Sequence, residues 1–278
     1  MNLGGEEHLE TEPAAKRVRV EGGASFSEAM SETGIPTMDD LIGPMDHLDC
    51  ESGTLQVRGL SVTYWRYSNS DYADFSRPPV VALHGGPAFT HNYIAPLKLL
   101  AHKGFPVIFY DQAGCGASTF VENPAEDAPW LLTIPYYVEE LAALQNHLKL
   151  SDAGFYVYGS SWGTCLAQEF AVTNPQGLRG LILDGALCDG QTYIKTQWRD
   201  RLSTMPSLTQ KWLKECEEGK LHDLKAYKKL EEVLTHHFTT RLVPQPECWH
   251  ACFKGVNEKI CEFFVVGCLN SDLNPSPI

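Results

Sequence analysis

The stretch Phe155-Tyr156-Val157-Tyr158-Gly159-Ser160-Ser161-Trp162-Gly163-Thr164-Cys165 decides the fold. Its first four residues are apolar or aromatic β-formers held between Gly154 and Gly159, and they read as a short strand. Gly159, Ser161 and Gly163 then fill the pattern G-x-S-x-G, in which a serine sits at a sharp turn from a strand into a helix. A serine thrust out at such a turn is held in strained backbone geometry, and side chains at the two glycine positions would collide with neighbouring chain. The pattern predicts that the Ser161 hydroxyl projects from the end of the sheet. The N–H groups of the following helix then face whatever it attacks.

Working outward, Pro79-Val80-Val81-Ala82-Leu83 and Pro106-Val107-Ile108-Phe109-Tyr110 are continuous apolar runs of the kind that suits parallel strands buried on both faces. The first ends in the tight turn His84-Gly85-Gly86-Pro87, placed to offer a second backbone N–H to an oxyanion. His84 itself is expected to fix that loop rather than to act as a base. The second runs into Asp111-Gln112-Ala113-Gly114-Cys115-Gly116, where Asp111 is expected to bond backbone N–H groups and hold a turn. Thr133 offers an N-cap and Pro135 a first-turn residue to a helix with Tyr137, Leu141, Leu144 and Leu148 on one face. The helix behind Ser161 is expected to reach Asn174, stopped by Pro175, and residues 178–183 give one more strand. Residues 55–57 and 62–67 alternate around Gly59 and predict an opening hairpin. The order implies an α/β fold with a mostly parallel sheet covered on both faces.

After Gly185 the character changes. Residues 193–253 read as helical, with lysine-rich faces, Trp198, Trp212 and Trp249, and no strand-like run. The clearest helix covers residues 221–238, and its adjacent His236 and His237 point in different directions, as surface or packing residues do. We read the segment as a helical lid inserted after the sixth strand, excluding water from the serine and shaping its pocket.

Composition narrows the function. A net charge of −13 on 278 residues argues against nucleic acid or an anionic membrane surface as a partner. No run approaches the ~18 apolar residues of a membrane span, and the N-terminus lacks a basic-then-apolar leader pattern. Nine cysteines without regular spacing suit reduced thiols, and a cytoplasmic location is expected. Cys248, His250, Cys252 and Cys261 cluster without a C-x₂-C pair, so zinc is not expected there and no cofactor is called for. Residues 1–35 are polar and aperiodic, an expected disordered tail whose Lys16-Arg17-Val18-Arg19-Val20 reads as solvated charge.

His84-Gly85-Gly86-Pro87, Asp111-Gln112 with Gly114 and Gly116, and Gly159-Ser160-Ser161-Trp162-Gly163 together resemble the proline iminopeptidases, prolyl aminopeptidases of the α/β-hydrolase fold. The likeness extends through Gln168-Glu169-Phe170-Ala171, Asn174-Pro175 and Leu181-Ile182-Leu183 and covers roughly residues 53–269. The resemblance implies a metal-free serine peptidase releasing an N-terminal residue, preferentially proline, from short peptides. It makes Ser161 the nucleophile and the N–H groups of Trp162 and Gly86 the oxyanion donors. Glu262, in Glu262-Phe263-Phe264-Val265-Val266-Gly267, matches the glutamate that binds the substrate's free ammonium; the alternative is a solvated charge at a helix end.

The implied layout is a hydrolase core over residues 53–186, a helical cap over 187–265 and a return to the core over 266–278. In this fold the triad runs Ser, then Asp or Glu, then His. Here the last histidine is His250, inside the lid, and Asp272 follows no strand, so the sequence nominates no triad acid or base. The expectation is a sheet lacking its last core strands and a protein that continues past Ile278 in its full-length form. An amino-acid amidase or esterase of the same fold and an inactive, peptide-binding hydrolase-like protein are the other readings.

Overall fold

The computed structural model describes residues 48–75, 77–219, 221, 224–242 and 244–269. The whole of the expected tail, residues 1–35, and Asp272 lie outside the described residues. Six strands, β1 (Asp49–Val57), β2 (Leu60–Ser68), β3 (Val80–Leu83), β4 (Val107–Asp111), β5 (Phe155–Ser160) and β6 (Leu178–Asp184), form one sheet in the order β1-β2-β4-β3-β5-β6. The hairpin predicted around Gly59 is present. Arg58 and Gly59, at φ of 48° and 84°, make a two-residue turn, and Val57 pairs with Leu60. Positive φ at both loop positions gives the twist that suits a tight hairpin. β2 joins β4 antiparallel, and β4, β3, β5 and β6 run parallel.

Period-two alternation explains why the central strands read as unbroken apolar runs. Val81, Leu83, Ile108, Tyr110, Phe155 and Val157 bury against one layer, which contains the helices α1 (Ile134–His147) and α2 (Trp162–Val172). Val80, Ala82, Val107, Phe109 and Tyr158 bury on the other face with Ile94, from a 3-10 helix over His91–Lys103. Each fully buried Val, Leu or Phe contributes about 1.5–3 kcal/mol, so a strand as short as β3 holds its place by burial on both sides. α1 begins where Thr133 and Pro135 predict, but the Thr133 hydroxyl donates back to the Trp130 carbonyl (2.7 Å) instead of capping the helix. α2 stops at Val172, slightly before the expected Asn174, which takes φ 53° ahead of Pro175.

The sheet order also sets where chemistry can occur. From β3 the chain moves to β4 on one side and then crosses to β5 on the other. That reversal opens a crevice beyond the carboxyl ends of β3 and β5, the usual ligand position in open α/β sheets. Leu83 lies in register with Gly159, so the His84 turn and the Ser161 turn leave the sheet side by side.

Beyond β6 the described chain is helical: α3 (Gly190–Thr196), α4 (Ser207–Glu218), α5 (Lys225–Leu234), α6 (Glu247–Cys252) and α7 (Glu258–Leu269), with short 3-10 and π turns. Leu213, Cys216 and Tyr227 make a small separate core with Trp198 and Trp212. α5 begins at Lys225, later than the predicted Leu221, while His222 and Asp223 lie outside the described residues. α6 packs on the 3-10 helix, with Trp249 edge-on to Tyr93 at 6.4 Å. α7 returns to the core through Ile260 and through Phe264, 5.7 Å from the Trp162 ring. Among the described residues no helix is long and apolar enough to cross a membrane.

Candidate active site

Ser161 stands at φ 54° and ψ −121°, a conformation that a residue with a β-carbon adopts only under strain, and its side chain is exposed. The neighbouring glycines make room for it. A β-carbon on Gly159 would lie 2.3 Å from the Gly163 carbonyl oxygen, and one on Gly163 would lie 2.5 Å from that of Leu83. One on Gly85 would lie 2.9 Å from the Ser161 β-carbon itself. Only a glycine-lined junction lets the two turns touch this closely. The elbow is then tied down by backbone: Ser161 N–H donates to the Asp184 carbonyl and Thr164 N–H to the Ser161 carbonyl, both at 2.9 Å.

Trp162 and the Gly85-Gly86 turn adjoin this serine. Trp162 is the first residue of α2, so its N–H has no acceptor within the helix. Gly86, at φ 118°, follows the glycine that touches Ser161. The structure therefore brings Ser161, Trp162 and the Gly85-Gly86 turn together.

His84 is held away from acid–base work by its own bonds. The Gln112 N–H donates to His84 Nε2 (3.0 Å), so Nδ1 carries the proton and donates to the Gly85 carbonyl (3.0 Å). Burial pushes its pKa down, in keeping with a neutral ring. Asp111 holds its turn as the sequence suggests: it accepts from the His91 N–H (3.0 Å), His91 Nδ1 (2.8 Å) and the Ala117 N–H (2.9 Å). Burial pushes this carboxyl up, but the His91 contacts outweigh it and leave the pKa below its ordinary value. Neither group reaches Ser161, whose hydroxyl makes no hydrogen bond among the described residues.

Glu262 is exposed on α7, and no hydrogen bond or ion pair among the described residues links it to the elbow; Phe264, two residues on, is the residue that touches Trp162. Among the described residues no three His, Cys, Asp or Glu side chains gather as a metal cluster, Cys248, His250, Cys252 and Cys261 included.

Sequence reasoning missed several residues that shape the site. The Tyr93 hydroxyl accepts the Gly85 N–H at 2.7 Å, and Tyr158 donates to Asp184 Oδ2 at 2.6 Å. Asp184 closes β6, and an acid at the end of a parallel strand was a legible signal. Tyr93 carried none, because its segment shows neither period. Asn257 is 2% exposed and donates to the Gly114 and Val121 carbonyls at 2.8 and 2.9 Å, pinning the start of α7 to the turn after β4. Glu140, on α1, is buried and accepts the Ala113 N–H at 2.9 Å; burial pushes its pKa up to about 8.

With this geometry in view, the likenesses to known proteins are informative. The family model for the alpha/beta hydrolase fold matches residues 78–247. A proline iminopeptidase of Clostridioides difficile is 32% identical over 227 residues, covering 81% of this chain and 72% of the relative. One of Heyndrickxia coagulans is 33% identical over 195 residues, covering 70% of this chain, and the match spans 63% of the relative's length. Among solved structures, the proline iminopeptidase of Mycobacterium smegmatis aligns with a TM-score of 0.64 at 26% identity, over 73% of this chain and 66% of that one. VinJ aligns at 0.67 with 29% identity, over 78% and 70%. Sheet order, elbow and likeness agree: this chain belongs to the α/β-hydrolase family and, within it, to the proline iminopeptidases.

Proposed function

We propose that this protein is a serine aminopeptidase that releases an N-terminal residue, preferentially proline, from short peptides through an acyl-enzyme. The observation that carries the reading is the exposed, strained Ser161 at the β3/β5 crevice, with Gly85 packed against its β-carbon. In the reaction, Ser161 Oγ attacks the carbonyl of the first residue. The N–H groups of Trp162 and Gly86 donate to the carbonyl oxygen as negative charge develops on it. The peptide amine leaves with a proton, a prolyl ester remains on Ser161, and water releases proline.

A base must take the Ser161 proton and pass it to the leaving amine. The described residues do not bring one to Ser161, so peptide and anilide bonds, which need that proton, are the demanding substrates. Glu262 is assigned to the substrate's ammonium, an attraction that an aminopeptidase uses to select chain ends. None of the eight cysteines among the described residues is joined in a disulfide, which suits action in a reducing compartment such as the cytoplasm.

The test is hydrolysis of prolyl p-nitroanilide and of prolyl and acetyl p-nitrophenyl esters by the chain and by Ser161→Ala. The reading expects prolyl substrates to be preferred and the substitution to abolish their turnover. Equal turnover in Ser161→Ala would overturn it, and a preference for acetyl over prolyl esters would favour an esterase.

A further inference from the structure

The geometry points to Tyr93 as a positioning residue that bolts the oxyanion turn to the nucleophile elbow through its hydroxyl, an inference that rests on the serine peptidase reading above. The Gly85 N–H is buried, and its acceptor is the Tyr93 hydroxyl, 2.7 Å away on a different element. Accepting that bond leaves the phenol's own proton free to be donated. The Ser160 carbonyl flanks the same glycine: a β-carbon on Gly85 would lie 2.9 Å from it. In the elbow the Tyr158 hydroxyl donates to Asp184 Oδ2 at 2.6 Å, while the Asp184 carbonyl accepts the Ser161 N–H. Two tethers thus hold the nucleophile's surroundings, Gly85 to Tyr93 in the turn and Tyr158 through Asp184 to Ser161 in the elbow.

The placement is tight. The position a β-carbon would take on Gly85 is 2.9 Å from both the Tyr93 hydroxyl and the Ser161 β-carbon, so the phenol oxygen and the nucleophile flank the same glycine. Nothing else in the turn can do this work: the Gly85 carbonyl is already engaged by His84 Nδ1 and by the Phe89 N–H. The other edge of the Tyr93 ring meets Trp249 of α6, which places the bolt under the lid as well. Removing the hydroxyl leaves a buried N–H without an acceptor, and the turn must move to find one. An oxyanion donor displaced by even a fraction of an ångström loses force in the transition state while substrate binding is little affected.

The experiment is Tyr93→Phe in the whole chain. It reads kcat and KM for prolyl p-nitrophenyl ester and amide hydrogen exchange over residues 84–87, with the melting transition as a check on folding. The expected result is a cooperative melt, faster exchange in the turn, and a kcat about 10–100-fold lower with KM nearly unchanged. Unchanged exchange in the turn would overturn the proposal, as would a rise in KM that accounts for the whole loss, which would make Tyr93 a pocket wall. If Tyr93→Phe fails to fold, exchange of the Gly85 amide in the unsubstituted chain decides: protection supports the bond to Tyr93 and free exchange overturns it. Should the unsubstituted chain show no Ser161-dependent turnover, the peptidase reading fails while the exchange arm still decides whether Tyr93 holds the turn.

Discussion

Replacing Gly163 by alanine tests how closely the elbow is packed. The new β-carbon would stand 2.5 Å from the Leu83 carbonyl oxygen and 2.9 Å from that of His84. Both are backbone atoms at the end of a buried central strand, so neither can swing away as a side chain would. Ordinary contact begins near 3.4 Å, so α2 and the end of β3 must separate by about 0.9 Å. Overpacking of this kind costs about 1–3 kcal/mol. For a chain of this size each kcal/mol lowers the melting temperature by roughly 2–4 °C, giving a fall of about 2–12 °C. The same displacement carries the Trp162 N–H away from the Gly85-Gly86 turn, and a misplacement near 1 Å costs about 100-fold in rate. Calorimetry and esterase kinetics on Gly163→Ala read both effects. A melting temperature and rate matching those of the unsubstituted chain would show that the turns are not in the close contact described, and the argument from glycine would fall.

Two further outcomes follow from the same geometry. Ser161→Gly removes the nucleophile and also relieves a strained backbone at φ 54°, so it should raise stability by about 1–3 kcal/mol, read by denaturant unfolding; a loss of stability would contradict the strain. Glu140 has an ordinary value of 4.5, raised to about 8 by burial in the folded protein. Between those values the folded state holds a proton that the unfolded chain has released, so stability falls as pH rises from about 5 to about 8, by up to about 1.4 kcal/mol per unit. Glu140→Gln, which cannot ionise, should match the unsubstituted chain near pH 5 and exceed it in stability above pH 8; parallel stability–pH curves for the two would refute the shifted carboxyl.

Much of the core was legible because burial on both faces leaves an unambiguous mark. The runs at β3, β4 and β5 had nowhere to sit but the centre of a sheet, and G-x-S-x-G marked a junction where strand and helix backbones nearly touch. The hairpin was legible from Gly59 between alternating residues. The 3-10 helix over His91–Lys103 was not. It contains Pro96, and three residues per turn leave no 3.6-residue stripe to recognise. Tyr93 was hidden with it, since the partner that gives it meaning lies on the turn after β3. Asn257 was hidden for a related reason: its two acceptors, Gly114 and Val121, are distant in sequence, and only the return of α7 to the core brings them together. Glu262 was singled out by resemblance, and the structure sets it on the exposed side of α7.

The most direct test of the central claim is to trap the acyl-enzyme. The chain is mixed with prolyl p-nitrophenyl ester, whose leaving group departs as a stable anion and so needs no proton from a base. It is then quenched in acid and digested for mass spectrometry. The account predicts one prolyl group on the peptide carrying Ser161, absent in Ser161→Ala. A Ser161 peptide that stays unmodified, or a prolyl group on another residue, would contradict the assignment of Ser161 as the nucleophile.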